Sequence, residues 1–146
     1  MLSFEATVEP TIVRRVFPAW SIEIPAGFEE TFVADDSYWH AWDEARSVSA
    51  TSLVITEAGR PVSAPALLRQ FPPVAGRPVA ALPDGLVAWA VTAAATRPAR
   101  ASRLLSGLLA TDGRLLIATV TSDDLAWAER TWLSIRHHVV PLAARD

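Results

Sequence analysis

Cysteine is absent from the 146 residues. With it go disulfide staples, thiolate metal ligation and a cysteine nucleophile. The absence fits a reducing compartment. Lysine is absent too, since all 13 basic residues are arginine. That excludes Schiff-base chemistry and lysine general bases. The arginines are scattered, so they read as a bias toward Arg, Ala and Pro from a GC-rich, bacterial genome rather than as an anion-binding cluster. No block of basic residues marks a nucleic-acid footprint, and the net charge is −3. The six glycines stand singly, which leaves no phosphate-cradling loop. No apolar run is long enough to span a bilayer; the longest nearly uncharged stretch is Leu86–Thr96. The first residues have neither a basic n-region nor a long apolar core, so no signal peptide is expected. The expectation is a cytoplasmic protein with no membrane and no nucleic-acid partner.

What is present is ordinary globular material, 51% hydrophobic and 20% charged. A chain of this length is the usual size of one domain and can bury a core without staples. A single domain over 1–146 is expected.

The chain is organised around its end. Two apolar runs, Leu104–Ala110 and Arg114–Thr121, flank Thr111-Asp112-Gly113. Asp-Gly is a hairpin turn pair because glycine takes positive φ at little cost. An amphipathic segment, Asp123–His138, follows. Leu125, Ala128, Trp132, Ile135 and Val139 recur at spacings of three and four, one helical stripe. Ser122 is the expected N-cap, with Asp123 and Asp124 beside the positive end of the dipole. Arg136, His137 and His138 fall in the expected last turn as cationic caps, and Pro141 ends it.

Earlier, Val16–Ile24 reads as the first firm strand, with Trp20, Ile22 and Ile24 on one face. Pro25-Ala26-Gly27 makes a turn, and Phe28–Val33 is expected to pair with that strand as a hairpin. Tyr38–Asp43 and Ser47–Thr56 are further strands. A short helix over 63–71 is expected, capped by Ser63 with Pro65 in its first turn and Leu67, Leu68 and Phe71 inward; Pro72-Pro73 stops it. Residues 72–84 read as a surface loop, Leu86–Ala95 as a strand covered on both faces, and Thr96–Ala101 as a polar turn. Met1–Arg15 is an edge strand or loose arm. The sum is an α+β fold: an antiparallel sheet of about six to seven strands with helices 63–71 and 123–138 packed on it.

The opening stretch Trp20-Ser21-Ile22-Glu23-Ile24-Pro25-Ala26-Gly27-Phe28, and the late hairpin running into a helix with Trp132-Leu133-Ser134-Ile135, resemble the PsbP-like superfamily, the α/β/α sandwich group that also holds the Ran-release-factor fold. The resemblance covers roughly Val16–Val139 as a pattern of elements. It implies an antiparallel sheet between helices and a largely non-enzymatic binding or assembly role. It brings no catalytic residues.

The most distinctive local segment is Asp35–Arg46. Asp36, Tyr38, Trp39, His40, Trp42, Asp43 and Arg46 form a candidate binding surface, because Tyr and Trp dominate binding hot spots. The bland alternative is a half-buried strand between acidic turns. No metal site is expected: His40 and Asp43 point to opposite sides of a regular strand, and His137 and His138 diverge on a helix. No cofactor is implied, and no residue is given a catalytic role. Trp127 and Leu133 lie off the apolar stripe of the closing helix and are candidate interface residues, through which the chain could dimerise. Three functions follow. One is a non-catalytic binding domain. A second is a small-molecule hydrolase using His40 with a nearby acid. The third is an immunity-type or accessory subunit that binds a partner protein.

Overall fold

The computed structural model describes residues 9–33, 37–70, 77–78, 87–97 and 100–139; for Leu68, 77–78, 87–97 and 100–103 it describes the backbone alone. The chain enters as β1 (Thr11–Phe17) and returns as β2 (Trp20–Pro25), antiparallel to it with Phe17 opposite Trp20. Val16–Ile24 is therefore not one strand. Pro18 has no N–H for a ladder and sits in the turn. The expected β2 partner, Phe28–Val33, is displaced by the N-terminal strand. Its strand, β3 (Glu29–Val33), instead pairs with β4 (Tyr38–Trp42) in a different sheet. Pro25-Ala26-Gly27 is thus a crossover between sheets, with Phe28 buried just beyond it.

β4 pairs with β5 (Ser47–Val54). β6 (Thr56–Glu57) and β7 (Arg60–Pro61) form a small two-stranded ribbon around Ala58 and Gly59, both at positive φ. Then come α1 (Ala64–Gln70), β8 (Arg77–Pro78), β9 (Val87–Arg97), β10 (Arg100–Thr111), β11 (Arg114–Ser122), α2 (Leu125–Leu133) and β12 (Arg136–His137). The large sheet is seven-stranded and antiparallel, in the order β3-β4-β5-β11-β10-β9-β8; a three-stranded sheet has the order β1-β2-β12. Phe71 and the greater part of 72–84 lie outside the described residues. Arg77 and Pro78 are strand rather than loop and pair with Ala90 and Trp89. The expected polar turn over Thr96–Ala101 is mostly strand as well, since Arg97 already faces Arg100. The β10–β11 hairpin forms as its sequence requires: Thr111 faces Arg114 across Asp112-Gly113, and Gly113 takes φ 82°.

Pleating gives the large sheet two faces. One carries Trp39, Ala41, Val48, Ala50, Leu105, Leu109, Leu116, Ala118 and Val120. It packs against Trp20, Ile22 and Ile24 from the small sheet and Ala128, Trp132 and Ile135 from the α2 region. The other face is covered at one end by α1, where Leu67, Val62 and Ala64 meet Ala110 and Leu115. Ser63 caps α1 as expected, its hydroxyl accepting from the Ala66 N–H at 3.4 Å. Asp112 adds a shorter bond, accepting from the Ala64 N–H at 2.9 Å, so the hairpin turn caps the same helix from afar.

α2 is shorter than the stripe predicts. Its N-cap is Asp124, whose carboxylate accepts from the Trp127 N–H at 3.1 Å, while the expected cap, Ser122, accepts from the Asp124 N–H at 3.0 Å. Ser134 stops the helix. Its hydroxyl donates to the Thr131 carbonyl at 2.6 Å and accepts from the Glu23 N–H at 3.0 Å, which ties the helix end to β2. The chain then turns extended as β12, so Arg136, His137 and His138 do not lie in a last helical turn and Val139 is 94% exposed.

Candidate functional site

The Asp35–Arg46 segment does not converge on one place. Asp36 lies outside the described residues. Trp39 is 3% exposed and belongs to the core; its Nε1–H donates to Glu30 at 3.1 Å, and Glu30 also pairs with Arg14 at 2.9 Å. Alternation puts Tyr38, His40 and Trp42 on the opposite, outward face, all half-buried. The rings form a ladder: Tyr38 to His40 is 6.3 Å between centroids, and His40 stacks on Trp42 at 4.8 Å.

Register extends this ladder across the sheet. Thr31, His40, Ser49, Thr119 and Ser106 stand in one row. Tyr38, Thr51, Ile117 and Leu108 make the next row toward α1, and Trp42, Ser47, Thr121 and Leu104 the row on the other side. Ser106 and Thr119 share a hydrogen bond of 3.0 Å between hydroxyls. The face is therefore aromatic along β4 and rich in hydroxyls along β5 and β11. Burial lowers the pKa of His40 below the ordinary imidazole value, which favours the neutral ring. Among the described residues its ring meets aromatic neighbours and no carboxylate. A neutral, stacked imidazole offers contact area and hydrogen bonding.

Asp43 and Arg46 build a second, separate place on the α2 side. Asp43 ends β4 and closes the turn, accepting from the backbone N–H groups of Ala45 at 2.9 Å and Arg46 at 2.7 Å. Its other oxygen takes Nε and Nη2 of Arg46. Glu9 grips the outer edge of the same guanidinium, at 2.8 and 2.6 Å. Phe28 and Trp127 flank it, with the guanidinium carbon 5.2 and 4.7 Å from their ring centroids. Burial pushes the Asp43 carboxyl up, but the bonds from Arg46 and the backbone outweigh it and leave it low. The hydrogen bonds from Arg46 hold Glu9 low against a smaller burial penalty. Those to Glu9, with Asp43 adding and burial opposing, raise Arg46 further.

Trp127 is thus accounted for. It packs against the core and under Arg46, tilted against Phe28 at 6.1 Å. Leu133 is 41% exposed. The two histidines part company: His137 meets Trp20 edge-on at 5.1 Å, and His138 Nε2 lies 2.8 Å from Ser21 Oγ. That Ser–His contact was not legible in sequence, since 117 residues separate its partners. Ser21 is 4% exposed, too enclosed to meet a substrate. Glu9 and Phe28 were also missed, because nothing local marks a carboxylate or ring that meets its partner only through the fold. Among the described residues no group of three or more His, Asp and Glu could hold a metal ion. No helix among them is long and apolar enough to cross a membrane.

No protein-family model and no curated protein matches the chain. Solved structures do match. Cyanobacterial PsbP (CyanoP) from Synechocystis sp. PCC 6803 superposes with a TM-score of 0.60 at 10% identity, over 94% of this chain and 98% of that one. The fold is PsbP-like. A protein from Bacteroides thetaiotaomicron VPI-5482 gives the same TM-score, 0.60, at 7% identity over 82% of this chain, which spans 45% of that one. At such identities the PsbP-like likeness concerns the backbone and transfers no residue roles.

Proposed function

We propose that this PsbP-like chain is a non-catalytic binding module that engages a protein partner through the outward face of β4, β5 and β11. The observation that carries the reading is the Tyr38–His40–Trp42 ladder, three rings held half-exposed on the outer face rather than in the core. Interface centres are rich in aromatics and poor in charge. The rows through Tyr38, His40 and Ser49 are uncharged, and Glu29 enters only at the edge, opposite Trp42. Three strands about 4.8 Å apart and three rows about 6.7 Å apart give roughly 300 Å². That is well under half of what one partner gives to a standard interface, and it fits a transient contact. The neutral setting of His40, with no carboxylate against its ring among the described residues, supports binding over hydrolysis.

Replacing Tyr38 and Trp42 by Ser should abolish partner capture from the source cell while circular dichroism stays native. Equal capture by the double variant would refute this choice of surface.

A further inference from the structure

Arg46 has the build of a carboxylate receptor. Its guanidinium is fixed without help from Glu9: Asp43 holds Nε and Nη2, and Phe28 and Trp127 lie against its faces. What it presents outward is the Nη1/Nη2 edge, the fork that takes a carboxylate bidentately. The carboxylate now on that fork is Glu9, whose side chain is 45% exposed. Its two bonds are well formed, but with the Glu9 side chain this open to water a carboxylate from solution can compete for the same fork. Beyond it the structure has a cavity of about 620 Å³ between β1–β2 and α2, lined by Arg46, Trp127, Arg130, Thr131 and Ser134. Arg130 is exposed and brings a second cation with no ion-pair partner among the described residues. Besides Glu9, two further acids line the cavity, and both are engaged: Glu23 accepts from the Thr11 hydroxyl at 2.6 Å, and Asp124 caps α2. They set a limit on how much negative charge the cavity accepts.

We propose that this cavity binds an external carboxylate on Arg46, and that Glu9 is a built-in occupant which such a ligand displaces. The site is separate from the outer-face ladder and does not depend on it. The ligand chemistry is a carboxylate with an apolar part to lie on Trp127; a small dicarboxylic acid and the acidic end of a peptide both meet it.

The test follows the Arg46 side-chain Nε–H and the Trp127 indole N–H by NMR in the whole 15N-labelled protein. The probes are succinate and an acetylated pentapeptide ending in Glu, each against chloride at equal ionic strength. Glu9→Gln should bind about fivefold more tightly than the parent, the weight of one half-exposed ion pair. Adding Arg46→Lys, which keeps the charge but loses the fork, should remove that binding while the amide spectrum remains folded. Response to succinate alone assigns the site to small acids, and response to the peptide alone to a partner chain; either upholds the proposal. Shifts no larger than with chloride in Glu9→Gln, or binding that survives Arg46→Lys, would overturn it.

Discussion

Replacing Trp132 by Ala should be the most damaging single change on α2. The side chain is 1% exposed and lies between α2 and the inner face of the large sheet. Its Nε1–H donates to the Ala118 carbonyl at 3.3 Å. An indole buries about 200 Å², and at about 25 cal/mol per Å² that is worth ~5 kcal/mol. Alanine keeps the first carbon, so the truncation itself should cost about 3–5 kcal/mol, and the lost hydrogen bond about 1 kcal/mol more. Trp132→Phe keeps most of the ring area and loses the bond and some volume, at about 1–2 kcal/mol. Against a total of about 5–15 kcal/mol, the alanine variant should approach or pass the limit of folding at ambient temperature. Urea titration followed by far-ultraviolet circular dichroism checks this, read at constant slope so that midpoints compare directly. An alanine variant losing less than about 2 kcal/mol, below the range for deleting a buried indole, would show that α2 is not packed as described. So would a phenylalanine variant as damaged as the alanine one.

Leu67→Ala should cost about 2–4 kcal/mol, because Leu67 is 0% exposed and anchors α1 on the second core; the same titration measures it. Asp112→Ala should cost about 1 kcal/mol, more than Ser63→Ala, since Asp112 makes the shorter of the two capping bonds to the first turn of α1; equal losses would refute that ranking. His40 has a folded pKa below its unfolded value, so the unfolded chain binds more protons there. Stability from its neutral form is full above the ordinary imidazole value and is lost as pH falls through the folded one. NMR titration should place His40 below that ordinary value, and His40→Gln should flatten this limb; a raised value would refute the desolvated setting. Asp43 and Glu9 are also depressed, so their contribution is present above the ordinary carboxylate range and lost as pH falls through the folded values. Arg46→Ala should shallow the acid limb of a stability–pH curve.

The late hairpin and the strand alternation were legible because their signals are local: Asp-Gly at the turn, period two in Tyr38–Trp42, spacings of three and four in Leu125–Trp132. The α2 boundary was not. The stripe runs on to Ile135, and what ends the helix is Ser134 bonding to Glu23, a residue 111 positions away. Strand partnership failed for a similar reason. Phe28–Val33 has the composition to pair with Trp20–Pro25, but the N-terminal Thr11–Phe17 takes that edge, and composition alone does not rank two partners. At the candidate site, period-two alternation puts Trp39 and Ala41 on one face of the strand and Tyr38, His40 and Trp42 on the other, as the burial pattern shows. It could not tell which side faced the core. Nor could it show that Asp43 and Arg46 belong with Glu9, Phe28 and Trp127.

The outward face of β4, β5 and β11 is proposed to meet a partner protein. The most direct measurement of this contact is photocrosslinking in the source cell, with a photoreactive residue placed at Ser49, in the His40 row. A control goes at Glu129, exposed on α2. Ser49 should give one discrete, saturable adduct that is lost when Trp42 is replaced by Ser, and Glu129 should give none. Adducts of equal strength from both positions, or an adduct from Glu129 alone, would contradict the proposed contact.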